Sequence, residues 1–158
     1  MTIVDFKKIM IATDGSNCSK QVADRGIELA KLSSGTVYAV YVVSMIYLPS
    51  MYGDYLSPMN MNTYWESIRE AFKTQGQQAV NYIKDLGEMK GIKVEPVLLE
   101  GNPSAELIRY AEEEKMDIVI MGTLGKTGLD RMLLGSVAGN IVRHSKVPVM
   151  VIRENCES

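Results

Sequence analysis

Short apolar runs rich in Val and Ile alternate along this chain with longer stretches whose apolar positions recur at helical spacing. The runs read KKIMIAT, TVYAVYVV, KVEPVLLE, DIVIM and VPVMVI. Their hydrophobicity is continuous rather than alternating, the pattern of strands covered on both faces, as in a parallel sheet between helices. Between the first two runs, Val22, Ala23, Gly26, Ile27 and Ala30 form one buried stripe of a helix, with Gly35 as its stop. Before the fourth run, Asn102 can cap a helix and Pro103 can fill its first position, with Leu107, Ile108 and Ala111 facing inward and the helix ending before Asp117. A further helix is expected over roughly 63–90, closed by Gly91, and another from Ser136 with Val137, Ala138, Ile141 and Val142 on its apolar side. The expectation is an α/β fold: one domain over residues 1–158, with an open, doubly wound parallel sheet of five strands and helices on both faces.

Two details refine this plan. Pro96 cannot donate a ladder hydrogen bond, which places the third strand at an edge of the sheet. The final run, VPVMVI, is then expected at the opposite edge. Residues 44–62, SMIYLPSMYGDYLSPMNMN, carry two prolines and no usable period, so they read as an insertion after the second strand. Their Met and Tyr side chains either fold back over the sheet or build an adaptable lid or partner surface.

Composition narrows the class. The 158 residues, 46% of them hydrophobic, suit a single core. A net charge of -2, with Lys and Arg scattered, offers no electrostatic footprint for nucleic acid. No apolar stretch approaches the roughly 18 to 20 residues of a membrane span, and the N-terminus lacks a signal-peptide core, so a cytoplasmic protein is expected. Cys18 and Cys156 have neither metal spacing nor a C-x-x-C arrangement and read as two lone thiols.

The richest chemistry lies in GTLGKTGLDRMLLGSVAGN, residues 122–140. Its GKT is a decoy: a Walker A loop needs a glycine five positions before Gly125, and position 120 is Ile. A G-x-G-x-x-G turn is also missing. What remains is Gly122, two residues, Gly125, nine residues, then Gly135 and Ser136. Gly122 closes a strand at its carboxyl end, where open α/β sheets place ligands, and Gly125 lets the backbone turn without a Cβ. Gly135 and Ser136 open a helix whose free N–H groups favour an anion, with the Ser136 hydroxyl as N-cap or phosphate ligand. The bland alternative is a strand, a loop and a capped helix with no ligand. Asp14, after the first strand, either meets a ribose hydroxyl or a metal or caps the following helix. Lys126 and Arg131 could steer phosphates but rank below the glycines.

The spacing G-x2-G-x9-G-[ST], together with KKIMIATDGS at the start and DIVIMGTLGKTGLDRMLLGSVAGNIVRHSKVPVMVI at the end, resembles the universal stress protein family, in particular its nucleotide-binding branch. The resemblance covers essentially the whole chain. It implies the adenine nucleotide alpha hydrolase-like sheet of order 3-2-1-4-5, ATP held across the strand ends (with AMP or ADP as alternatives, and Mg or Mn accompanying the nucleotide), and a homodimer through residues 148–152. Carried over by position, Ala12, Thr13 and Asp14 would line the adenosine, with Asp14 on the ribose hydroxyls or near the ion. Val42 would meet adenine through its backbone, and Met121 and Gly122 would pack beside the ribose. Gly125, Gly135, Ser136, Val137 and Ala138 would surround the phosphates. Leu124 and Ala138 depart from the family in lacking phosphate donors that other members carry there.

Catalysis finds little support in the sequence. His144 is the only histidine and lies about 12 Å along the last helix from Ser136, at ~1.5 Å per residue. It reads as a helix stop rather than a base. The expected function is a nucleotide-dependent regulatory or stress-response protein with at most slow ATP hydrolysis. The alternatives are an interaction module without nucleotide, a phosphotransferase, or an adenylating enzyme, the last lacking its S-G-G-x-D-S motif after the first strand.

Overall fold

The computed structural model describes residues 5–44, 58–123 and 134–153. Five strands, β1 (Lys8–Ala12), β2 (Thr36–Val43), β3 (Val94–Glu100), β4 (Ile118–Gly122) and β5 (Val149–Ile152), form one parallel sheet in the order β3-β2-β1-β4-β5. The doubly wound α/β expectation holds, with β3 and its Pro96 at one edge and β5 at the other. Among the described residues, four helices cover the sheet: α1 (Ser19–Ser33), α2 (Pro58–Met89), α3 (Pro103–Glu113) and α4 (Ser136–His144).

Strand alternation assigns the two faces. Ile9, Ile11, Ala39, Tyr41, Val43, Ile118 and Ile120 face α1 and α2, meeting Val22, Ile27, Val80 and Ile83. Met10, Val40, Val119 and Met121 face the other way, onto Leu107 and Ala111 of α3 and Ala138 and Ile141 of α4. Every central strand therefore has apolar neighbours on both sides, which is why its run shows no polar alternation. Among the described residues, no helix is long and apolar enough to cross a membrane.

The α1 stripe is buried at all five expected positions. Its stop differs: Ser34, not Gly35, takes the left-handed conformation (φ 53°), and its N–H bonds the Ala30 carbonyl. Gly35 is required by space instead, since a Cβ there would sit 2.5 Å from the Phe6 carbonyl oxygen. Asn102 caps α3 as its position suggests, accepting from the Ala105 N–H at 3.0 Å, with Pro103 as the first helical residue. α2 begins at Pro58, so residues 58–62 of the expected insertion are helical. Proline suits a first turn, where its missing N–H has no acceptor to serve. The rest of that insertion, 45–57, lies outside the described residues. Val142 points outward at 47% exposure, against the expectation that it joins the apolar side of α4. Cys18 is engaged in a disulfide, which corrects the reading of a lone thiol; spacing rules are blind to pairings between distant parts of a chain. Cys156 lies outside the described residues.

At the amino ends of the strands, Asp117 ties β1 to β4. One oxygen, Oδ2, accepts from the backbone N–H groups of both Lys7 (2.9 Å) and Lys8 (2.8 Å). Asp117→Ala would strand the part-buried Lys8 N–H, and the expected cost is about 1 to 2 kcal/mol. The check is urea unfolding: a lower midpoint with an unchanged slope, since the same surface is exposed.

Candidate functional site

The carboxyl ends of all five parallel strands share one edge, and the strand order reverses between β1 and β4. Crevices at such reversals are where open α/β sheets take ligands. At this point β1 delivers Ala12, Thr13 and Asp14. The Thr13 N–H still bonds the Val40 carbonyl of β2 at 3.0 Å, so extended pairing reaches past Ala12. The chain then turns through Gly15 at φ +77°, a conformation that favours glycine. The turn is fixed by the Thr13 hydroxyl oxygen, which accepts from the Gly15 N–H (3.1 Å), and by Asp14 Oδ1, which accepts from the Ser16 N–H (2.9 Å).

This geometry decides the role of Asp14 within the fold. The N-cap of α1 is Cys18, with no side-chain cap bond, so Asp14 does not cap the helix. One carboxylate oxygen is held by the turn, and the other, Oδ2, is buried without any hydrogen-bond partner. An oriented, desolvated carboxylate oxygen is costly unless something donates to it.

The second half of the site comes from β4 and α4. Met121 is buried, and Gly122 pairs with Ile152 at the end of β5. The Thr123 N–H bonds the Ile152 carbonyl (3.1 Å), and the Gly135 N–H bonds the Thr123 carbonyl (2.7 Å), pinning the start of α4 over the strand ends. Gly135 is the N-cap and Ser136 the first helical residue, so the sequence option of Ser136 as the cap is corrected. The first bond of the helix runs from the Gly139 N–H to the Gly135 carbonyl at 2.8 Å. The N–H groups of Ser136, Val137 and Ala138 therefore precede any intrahelical acceptor and point outward with the positive end of the helix dipole. Gly135 itself contributes a bare backbone rather than a donor, because its N–H is already committed to Thr123. Gly125, Leu124, Lys126 and Arg131 lie outside the described residues.

Val42, at the end of β2, pairs with Leu99 and packs on the α3 and α4 face. A groove of about 460 Å³ runs along α4 past Gly135, Ser136, Gly139, Asn140 and Arg143. His144 is the last residue of α4, at the end remote from Ser136. Among the described residues, no three His, Cys, Asp or Glu side chains converge as metal ligands. Two hydroxyls escaped the sequence reading: like Asp14 Oδ2, Ser16 Oγ and Ser44 Oγ are buried without a hydrogen-bond partner. Ser16 closes the stretch KKIMIATDGS and Ser44 opens the insertion, but only side-chain burial shows that their hydroxyls lack partners.

Comparison with known proteins adds independent information. Residues 5–153 match the sequence model of the universal stress protein family. The universal stress protein MJ0531 of Methanocaldococcus jannaschii is 40% identical over 152 residues, covering 94% of this chain and 83% of its own length. The solved structure of MJ0577, from a study of its biochemical function, superposes with a TM-score of 0.81 at 26% identity over 96% of this chain and 99% of that one. A universal stress protein family member from Arabidopsis thaliana with AMP bound shares the fold at a TM-score of 0.66 and 20% identity, covering 94% of this chain and 92% of that one. Another universal stress protein, in complex with cAMP, does so at 0.65 and 23%, covering 94% and 98%. With a match along nearly all of its length and a relative at 40% identity, the chain belongs to the universal stress protein family.

Proposed function

We propose that this protein binds an adenine nucleotide, ATP foremost and AMP or ADP as alternatives, and acts as a nucleotide-dependent regulatory or stress-response protein. The observation that carries the reading is a pairing of opposite needs at one sheet edge. The α4 N-terminus offers unbonded N–H groups for phosphate, while Asp14 Oδ2 is buried and requires a donor such as a ribose hydroxyl. Phosphate beside Asp14 would be repelled, so the carboxylate belongs at the nucleoside end and α4 at the phosphate end. Two proteins of this fold, one with AMP bound and one in complex with cAMP, support an adenine nucleotide as the class of ligand. Ala12, Thr13, Val42, Met121 and Gly122 would line the nucleoside, and Gly125, Gly135, Ser136, Val137 and Ala138 the phosphates. Mg or Mn would ride mainly on phosphate oxygens, with Asp14 as an indirect partner. The test is mass spectrometry of nucleotide released from freshly purified protein, followed by equilibrium dialysis with ATP. Protein that carries none and binds none would be an interaction module instead.

Turnover is expected to be slow. The remote His144 leaves no histidine base near the phosphates, so hydrolysis should run far below the roughly 10 per second of a median enzyme. A steady-state rate in that ordinary range, lost on substitution of Gly135, would make the protein an ATPase.

We also infer a two-fold homodimer through β5. This edge strand is apolar, Met150 is 38% exposed upon it, and uncovered edges of this kind invite pairing. Met150→Lys should convert dimer to monomer by light scattering. Val149 is less suited to the test, because it packs against the core and its loss would mix folding with association. An unchanged dimer mass for Met150→Lys would move the interface elsewhere.

A further inference from the structure

Cys18 is joined in a disulfide, and the one other cysteine of this chain is Cys156, so the bond links these two. Cys18 is the N-cap of α1, half-buried, with no side-chain cap bond of its own. Cys156 lies outside the described residues, but the strand that precedes it is described. β1 and β5 run parallel in one sheet, so β5 ends at the edge where the turn from β1 into α1 begins. Ile152, the last residue of β5, packs on the cluster that holds Val22 and Ala23 of α1. The four residues from Ile152 to Cys156 span at most roughly 14 Å, which confines the tie to this edge of the molecule.

The end of β5 also carries the pin of α4. The Ile152 carbonyl accepts from the Thr123 N–H at 3.1 Å, and the Thr123 carbonyl accepts from the Gly135 N–H at 2.7 Å. Within the sheet, β5 is an edge strand of four residues paired with β4 alone. Short elements with few partners open locally at low cost. A covalent tie from the residues after β5 to the first turn of α1 opposes that opening.

We propose that the Cys18–Cys156 bond is a reversible redox switch. Oxidised, it secures the end of β5 and, through Ile152 and Thr123, the start of α4; reduced by a dithiol, it releases them. In the exchange a thiolate of the dithiol attacks the Cys156 sulfur, the protein S–S bond breaks, and Cys18 departs as the thiolate. The second thiol of the reductant then resolves the mixed disulfide. Two electrons pass to the protein, the reductant becomes a disulfide, and its two protons end on Cys18 and Cys156. The N-terminus of α1, with no acidic residue in its first turn, favours a thiolate at Cys18, and a stabilised thiolate is the better leaving group. The switch requires no nucleotide, and its failure would leave the nucleotide reading untouched.

Iodoacetamide trapping with mass spectrometry reads the bond directly. Protein equilibrated with oxidised glutathione should take up no label, and protein equilibrated with dithiothreitol should take up two while its circular dichroism stays native. Loss of the cross-link should lower the melting temperature by roughly 4 to 16 °C, because the bond closes a loop over most of the chain. Hydrogen exchange of the folded protein is the decisive reading. Reduction should speed exchange of the Thr123 and Gly135 amides by about 10-fold or more beyond any change at the slowest β1 amides. Cys156→Ser, which leaves α1 and its cap untouched, should show the reduced pattern with or without dithiothreitol. Label on the glutathione-oxidised protein, or a bond that opens only after unfolding, would overturn the switch. So would exchange at Thr123 and Gly135 that changes no more than at β1, because the bond would then act on overall stability alone.

Discussion

ATP at one hundred times its dissociation constant should raise the melting temperature by roughly 5 to 11 °C. A ligand that binds only the folded chain adds about 2.7 kcal/mol at that excess, and a domain of this size gains roughly 2 to 4 °C per kcal/mol. Gly135→Val should abolish the shift. The backbone there has φ −57° and ψ 161°, which a branched residue adopts without strain, so the ligand-free variant should melt near the wild-type temperature. What changes is the approach to the N–H groups of Ser136, Val137 and Ala138, which a valine side chain at the cap would crowd. Lys126→Ala should weaken the shift only modestly, since that lysine belongs to an incomplete Walker pattern. Asp14→Asn is an informative companion: its amide oxygen can still accept from the Ser16 N–H and keep the turn, while the charge proposed to face the ribose is lost. Elimination of binding by Lys126→Ala, with Gly135→Val unaffected, would move the phosphate cradle into the loop.

Strands and helices were legible here where one local rule acts alone. Continuous apolar runs located all five strands, and β2 spans the run TVYAVYVV end to end. The stripe on α1 and the Asn102 cap on α3 follow from spacing and side-chain chemistry that no tertiary contact overrides. The departures come where two rules compete. Two prolines without a helical period suggest a loop at Pro58, yet proline opens helices as readily as it breaks them, and the residues after it supply the helix. Gly35 marks the end of α1 in the sequence, but Ser34 takes the left-handed conformation there, and Gly35 is needed because a Cβ would meet the Phe6 carbonyl. The site divides in the same way. Strand ends and a helix start can be read from letters, so Asp14, Gly122 and Ser136 reach the expected edge of the sheet. Ser16 and Ser44 could not be read, since the lack of a partner for a hydroxyl is a property of the packed molecule.

Glycine 26 and glycine 139 should respond to the same substitution with opposite signs. Both lie inside helices, where alanine is intrinsically better by roughly 0.8 to 1 kcal/mol. At Gly139 a Cβ would meet nothing within 4 Å, so Gly139→Ala should stabilise the ligand-free protein by about that amount. At Gly26 a Cβ would fall 2.2 Å from Ile11 Cδ1 and 2.6 Å from Ile11 Cγ1, with Ile120 Cδ1 at 3.7 Å. Ile11 is fully buried in the layer between α1 and the sheet, so it would have to shift within the packed core. Overpacking of this kind costs roughly 1 to 3 kcal/mol, which at most of that range exceeds the helix gain, and Gly26→Ala should therefore destabilise by up to about 2 kcal/mol. Gly26→Val adds further bulk against the same wall and should cost about 3 kcal/mol or more, lowering the melting temperature by roughly 6 to 12 °C. Urea unfolding of the three variants without nucleotide separates the effects. Stabilisation by Gly26→Ala would mean that α1 can lift from the sheet at little cost, and the close approach of helix to strand would then not be what requires glycine at that position.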